Sequence, residues 1–334
     1  MADLKKTKIL IIGAGGIGER HLRCFQATGR ADVSFCEPND DRRQMLMKTY
    51  GCAGYADLDA AFRLHAYEAA VICTPASTHI PIAHNCAERG LHVLIEKPLS
   101  TSLQGAMELH RAFLAAKCIA RVAYVYRSIL SIQKGRELVT SGLVGPIRHV
   151  TVTSGQHFPS FRPDYKEIYY GKRSTGGGAI QDALTHPVHA IEWTIGPISE
   201  VACFAGRQVL DGVEVEDTAN LICRHVSGSL SSLTINQFQS PNEATITYHG
   251  SAGSIRVNVM RQQVGTLMLG ESKWKWIEVP QGERDMIFVG QANSFIDATE
   301  RLPDELCNLE EAIQTLRVNL AALESSDTHK FVLI

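Results

Sequence analysis

No apolar run in the sequence approaches the roughly 18 residues that a membrane-spanning helix needs, which argues against a membrane protein. No Cys-x-x-Cys pair occurs. Nine cysteines, an odd number, lie scattered, with Cys36, Cys73, Cys203 and Cys223 in apolar stretches. That excludes a disulfide framework or a zinc ribbon and reads as reduced core thiols of a cytoplasmic protein. An excess of either charge is also lacking: 33 Lys plus Arg stand against 35 Asp plus Glu, a formal −2. Neither nucleic acid nor an anionic membrane surface is therefore expected as the main partner. The start, Met1-Ala2-Asp3-Leu4-Lys5-Lys6, runs into a short apolar strand and then Gly13, too short and wrongly flanked for a signal peptide. Repeats and low-complexity tracts are absent. What is there is 334 residues, 45% apolar and 20% charged, the composition of a folded soluble chain of about two domains.

Apolar runs alternate with amphipathic segments through the first third. Residues 8–12, 33–36, 69–73, 92–95 and 119–125 read as strands, the first apolar throughout, as in a strand covered on both faces. Between them 16–28, 40–50, 80–89 and 103–117 read as helices. This succession predicts an α/β domain over residues 1–126 with a Rossmann-type, doubly wound parallel sheet. From residue 127 the rhythm changes. A helix at 128–140 precedes strand-like runs at 148–156, 201–209, 218–226, 230–238, 244–248 and 254–259, several joined by short turns such as Ser227-Gly228. Further helices are expected at 179–195, 285–300 and 309–325. Residues 127–334 thus read as a second, α+β domain for substrate binding and oligomerisation, built on a large, mostly antiparallel open sheet. From 218 to 255, 38 residues carry two charged side chains, Arg224 and Glu243, where 20% predicts about seven or eight. A sheet face so poor in charge is expected to be covered, which points to a homodimer or homotetramer through this sheet.

Gly13-Ala14-Gly15-Gly16-Ile17-Gly18 fits G-x-G-x-x-G, directly after the first strand and opening the first helix. In that setting Gly13 makes the tight turn and Gly15 lets backbone approach a pyrophosphate. Gly18 lets helix pack closely on strand, and the helix N-terminus supplies N–H donors. Glu37, 19 residues beyond Gly18, ends the second strand, where a carboxylate accepts from both ribose hydroxyls and repels a 2′-phosphate. NAD is the expected cofactor, with Arg42 and Arg43 keeping NADP possible.

Two more motifs follow strands at the edge where open α/β sheets bind ligands: Thr74-Pro75-Ala76-Ser77-Thr78-His79 and Glu96-Lys97-Pro98. Later, Gly176-Gly177-Gly178 leads into a predicted helix bearing Asp182 and His186. With the Gly13 loop, and in this order, these residues resemble the glucose–fructose oxidoreductase/inositol dehydrogenase/MocA family over nearly the whole chain. The resemblance implies a Rossmann domain, an open-sheet domain, and an NAD(P)-dependent oxidoreductase in which Lys97, Asp182 and His186 meet at the nicotinamide. It also implies cofactor contacts from Gly13, Gly15, Gly16, Ile17, Gly18, Glu37, Thr74, Pro75, His79, Glu96 and Lys97. Many members carry an aspartate three residues after the histidine, where this chain has His189.

Chemistry points the same way. Oxidising a secondary alcohol needs a base for the hydroxyl proton while hydride leaves the same carbon. Asp182 and His186 are four apart, on one face of the predicted helix. A histidine titrates near neutral pH and suits the base; Lys97 suits a polarising group or a proton shuttle, and Asp182 suits a substrate hydroxyl or a group that raises the basicity of its neighbour. No metal is required, because the spacing of Asp182, His186 and His189 is not a zinc-helix pattern. Tyr126, Arg127, His157, Arg162 and Tyr165 offer aromatic faces and polar groups to a small polyhydroxylated molecule and join Lys97, Asp182 and His186 as substrate-binding candidates. The expected activity is hydride transfer between nicotinamide and a secondary hydroxyl or ketone of a sugar, cyclitol or sugar derivative. A dihydrodiol or imine substrate on the same fold and a non-catalytic dinucleotide sensor are the alternatives. The presence of both Lys97 and His186 weighs against the sensor.

Overall fold

The structure is a computed structural model describing residues 6–280 and 282–334. Residues 1–5, the greater part of the start read as no signal peptide, lie outside the described residues. Two compact units make up the chain: the described residues up to Val125 with Gly282–Ala312, and residues 126–280 with Ile313–Ile334.

In chain order the first unit opens with β1 (Thr7–Ile12), α1 (Gly16–Ala27), β2 (Ala31–Cys36), α2 (Asp40–Tyr50), β3 (Gly54–Tyr55) and α3 (Leu58–Leu64). It continues with β4 (Ala69–Ile72), α4 (His79–Glu88), β5 (His92–Ile95), α5 (Ala106–Ala116) and β6 (Ala120–Val122). The second unit follows with α6 (Leu130–Thr140), β7 (Ile147–His157), the short α7 (Phe158–Phe161), α8 (Thr185–Ile195), β8 (Ile198–Gly206) and β9 (Thr218–His225). Then come β10 (Leu230–Asn236), β11 (Phe238–Gly250), β12 (Gly253–Asn258), β13 (Gln263–Met268) and β14 (Lys275–Glu278). The chain returns to the first unit with α9 (Arg284–Thr299) and β15 (Cys307–Asn308), and closes with α10 (Leu309–Thr328) and β16 (Val332–Leu333).

The first sheet has the order β15-β6-β5-β4-β1-β2-β3 and runs parallel except for β15 against β6. Because β1 lies between β2 and β4, the winding reverses there and a ligand crevice opens at the carboxyl ends of these strands. Ile9 to Ile11 and Ala69 to Ile72 are fully buried, which is why they read as unbroken apolar runs. The segment 282–312, expected in the second domain, packs here instead. Ala292, Phe295 and Ile296 of α9 join Leu22 and Phe25 of α1 in one core, with Phe25 and Phe295 edge to face at 6.2 Å. Burying each such ring is worth about 1.5–3 kcal/mol. Asp285 pairs with Arg20 and Arg23, and Asp304 with Arg121. A single boundary near 126 therefore does not describe this segment: its helical pattern is local, but the surface that buries it belongs to α1.

The second sheet has the order β14-β13-β12-β11-β7-β10-β9-β8-β16, antiparallel except where β7 and β10 run parallel. Alternation sets its faces. Ala219, Leu221 and Cys223 of β9 are buried while Asn220, Ile222 and Arg224 are exposed. In β10, Ser231, Leu233 and Ile235 are buried, with Ser232, Thr234 and Asn236 on the other side. Helices cover the buried face: a Cβ on Gly135 of α6 would meet Val257 Cγ2 at 2.3 Å, and Tyr248 Oη lies 3.3 Å from Thr194 Oγ1 of α8. Both sheets match the expected fold class. All nine cysteines are free. Burial pushes the thiols of Cys36, Cys86, Cys203 and Cys223 up to about 12, so they serve as small apolar core groups. Among the described residues no helix is long and apolar enough to cross a membrane.

Candidate active site

The glycine turn follows β1. Gly18 enters α1 so close to it that a Cβ would stand 1.9 Å from Gly13 O, which leaves no room for any other residue. At Gly15 and Gly16 a Cβ would meet nothing within 4 Å, so the outer side of the turn is open. Asn39 and Asp57 cap α2 and α3 with their side chains, whereas α1 starts at Gly15 without a side-chain cap. No side chain caps its first N–H groups, and the helix dipole favours an anion there. Ile17 packs against the core beneath the turn. Glu37 follows β2, 8% exposed, its Oε1 accepting from Asn39 N–H at 3.0 Å. Arg42 donates to Ala14 O and Glu19, and Arg43 to Glu37 O and Asp40. These residues fit NAD, with an open row of N–H donors for the pyrophosphate and a carboxylate for the ribose.

Thr74 and Lys97 lie half-buried beyond β4 and β5, and Pro75 is exposed. Thr78 Oγ1 donates to Thr74 Oγ1 at 2.7 Å. His79 is buried, with Nε2 2.8 Å from Thr74 O and Nδ1 3.0 Å from Pro98 O. Burial pushes this imidazole below its ordinary value. Glu96, 5% exposed, has Oε1 2.7 Å from His21 Nε2, while its Oε2 accepts from Lys97 N–H at 3.0 Å. The His79 and Glu96 side chains both turn inward and brace the loops that carry Thr74 and Lys97. His21, which the spacing did not mark, is the buried partner of that brace.

In the second unit Gly178 has φ +96°, and a Cβ on it would stand 2.5 Å from Glu216 Oε1. A widened, π-type turn over Ala179–Leu184 follows and passes into α8. Glu216 is buried. Its Oε1 accepts from Ile180 N–H at 2.9 Å and its backbone O from Ala179 N–H at 2.9 Å, and burial raises its carboxyl above the ordinary value. One distant residue thus fixes the turn that carries Asp182. Asp182 and His186 consequently straddle a widened turn and α8, where one regular helix was expected; such turns are rare and are frequently found at functional sites. Tyr169 Oη donates to Asp182 Oδ1 at 2.8 Å. Tyr126 stacks on the His186 ring with centroids 4.9 Å apart and planes at 18°.

The substrate candidates divide. Tyr126 lies on His186, while His157 and Arg162 are exposed, bonded to Ser160 Oγ and Phe161 O. Tyr165 sits in a small core with Phe158, Tyr170 and Val213, its Oη donating to Asp211 O. Arg127 is 4% exposed and donates from Nε to His189 Nε2 at 2.8 Å. Both side chains are therefore engaged in the framework of the unit. Tyr169 was missed because it lies beyond Tyr165, the last of the residues read as substrate candidates before the Gly176 turn. The signal was the Tyr169-Tyr170 pair before Gly171, of which one ring faces out and one in. A cavity of about 530 Å3 elsewhere in the first unit, lined by Lys8, Asp32, Tyr50 and Tyr67 among others, includes none of these site residues.

A Rossmann sheet with an open glycine turn and an acid closing β2 defines a dinucleotide-dependent enzyme. Residues 7–124 match the oxidoreductase family with the NAD-binding Rossmann fold, and residues 132–256 match the GFO/IDH/MocA C-terminal domain. The chain belongs to this family and is an NAD-dependent oxidoreductase. It is 24% identical over 343 residues to the rhizopine catabolism protein MocA of Rhizobium meliloti, covering 98% of each chain. To inositol 2-dehydrogenase of Rhizobium meliloti (strain 1021) it is 25% identical over 260 residues, 75% of each chain. The solved structure of levoglucosan dehydrogenase in complex with NADH and levoglucosan shares the fold, with a TM-score of 0.89 at 19% identity over 99% of this chain and 100% of that one.

Proposed function

We propose that the chain oxidises a secondary hydroxyl of a sugar, cyclitol or sugar derivative, or reduces the matching ketone. The observation that carries this reading is the Asp182–His186 pair, with Tyr169 on the carboxylate and Tyr126 on the imidazole. Bound NAD would supply the hydride acceptor. His186 takes the hydroxyl proton as the C–H bond breaks and the C–O bond becomes a carbonyl; in the reverse direction it returns that proton. Lys97 polarises the reacting oxygen by its charge. Asp182, oriented by Tyr169, accepts from a neighbouring hydroxyl. Relatives that include inositol 2-dehydrogenase and levoglucosan dehydrogenase support a polyhydroxylated substrate. Glu37 supports NAD over NADP, and so does the engagement of Arg42 and Arg43 by Glu19 and Asp40.

Absorbance at the reduced-nicotinamide band, with NAD and separately NADP, across sugars, inositols, sugar acids and nucleotide sugars tests the reading. Turnover with one subgroup is expected. Silence across the panel with NAD binding intact by calorimetry contradicts it. The nearly uncharged sheet face further supports a homodimer or homotetramer, which a monomeric mass in light scattering at micromolar concentration contradicts. Nine free thiols support a cytoplasmic setting.

A further inference from the structure

We propose that His189 is a positioning residue: a neutral imidazole protonated on Nδ1 that holds Arg127 and, through the adjacent Tyr126, fixes the ring of His186. The proposal rests on the reading of His186 as the acid/base. His186, His189 and Trp193 stand at i, i+3 and i+7 of α8, one stripe of the helix. The consecutive residues Tyr126 and Arg127 lie along that stripe. Tyr126 stacks on His186. Arg127 Nε donates to His189 Nε2 at 2.8 Å, and its guanidinium covers the Trp193 ring at 4.9 Å. Gln133 Nε2 donates to Arg127 O at 2.6 Å, so backbone and side chain are held together.

The direction of the hydrogen bonds follows from what each group can do. A guanidinium has donors only, so His189 Nε2 is the bare nitrogen. The proton of a neutral ring is then on Nδ1, 3.0 Å from Thr315 Oγ1. Thr315 donates its hydroxyl to Glu192 Oε2 at 2.8 Å. Glu192 Oε1 in turn accepts from Gln314 Nε2 and Ile198 N–H, both at 3.0 Å. From Arg127 to Glu192 every hydrogen points the same way, and reversing one link breaks the next. His189 is 1% exposed and Thr315 fully buried. Burial, then the Arg127 charge and His186, push the ring well below its ordinary value, which agrees with the neutral form. With Tyr126 held, the His186 ring keeps one plane, and a base already oriented gives up less freedom on reaching the transition state.

Protein labelled with 15N at histidine, read by long-range 1H–15N correlation, reports which ring nitrogen carries the proton. The signal missing in His189→Gln assigns His189. At neutral pH the Nδ1–H tautomer is expected, together with an upfield-shifted His186 ring signal that Tyr126→Leu abolishes. His189→Leu, with neither donor nor acceptor, is expected to lose that shift and to lower kcat about tenfold, the scale of one buried hydrogen bond, with KM for NAD unchanged. His189→Gln keeps one acceptor and one donor and is expected to restore both readouts to within about threefold; Thr315→Val falls between. An Nε2–H tautomer, or a His186 signal that His189→Leu leaves in place, overturns the proposal. The expected tautomer and shifts in a protein silent across the whole panel of sugars, inositols, sugar acids and nucleotide sugars support the positioning role and count against the acid/base reading instead.

Discussion

The two units present their ligand-facing groups by different means. In the first, the donors that fit the cofactor belong to the backbone of an open turn, and a single carboxylate closes β2 beside it. In the second, the reactive groups are side chains held by other side chains: Asp182 by Tyr169, His186 by Tyr126, with Arg127, His189 and Thr315 behind them. A turn made of backbone needs only local spacing. Side chains held by side chains need partners from stretches far apart in the chain, as Thr315 is from His189. The first arrangement should fail all at once when a single atom is added, and the second should weaken in steps as links are removed.

The largest effect separates binding from chemistry. Lys97→Ala is expected to lower turnover by about two or more orders of magnitude, the share of one catalytic proton-transfer or polarising group, while NAD still binds. Near-wild-type turnover would remove Lys97 from that role. Gly18→Ala tests the backbone side of the comparison. Its Cβ would stand 1.9 Å from Gly13 O, and overpacking of this kind costs about 1–3 kcal/mol. Calorimetry should find NAD binding weakened and thermal melting should find a lower midpoint; an unchanged pair would mean the turn tolerates the methyl group.

Stability against pH probes the buried histidines of both units. Burial holds His79, His189 and His225 below their ordinary 6.5. Between the folded and unfolded values the unfolded chain binds more protons, so stability is complete above pH 6.5 and falls as the pH drops below it. Denaturant midpoints from pH 8 to 5 should show this decline, and His189→Gln should flatten part of it; a level profile in the wild type is the contrary result. The smallest effect is at the ribose. Glu37→Ala is expected to weaken NAD about tenfold, the scale of a hydrogen bond to a charged group, and NADP less. An unchanged preference would assign the choice of cofactor to another residue.

What was legible in the sequence follows the same division. The Gly13–Gly18 turn and Glu37 are local patterns, and each lies where its spacing put it relative to a strand or helix; the Asp182–His186 pair was also legible as a pattern, but the widened turn that carries Asp182 was not. Residue type did not tell which way Arg127 and Tyr165 face, because an arginine or tyrosine suits a substrate loop and a buried network equally. His21, Glu216 and Thr315 carried no local signal: each matters through one contact with a segment distant in the chain, Glu96, Ile180 and His189 respectively. The same holds for 282–312, whose helix was expected at 285–300 while its burial against α1 was not. Tyr169 is the intermediate case, marked by a tyrosine pair beside Gly171 but readable only once one ring was seen to face Asp182.

The most direct test is to measure, on one preparation of His186→Ala beside the wild type, the calorimetric affinity for NAD and the rate of nicotinamide reduction with a polyol that the wild type turns over. The account predicts affinities that agree within about threefold and a rate lower by about a hundredfold or more. Loss of NAD affinity in parallel with rate, or a rate left near wild type, would contradict it.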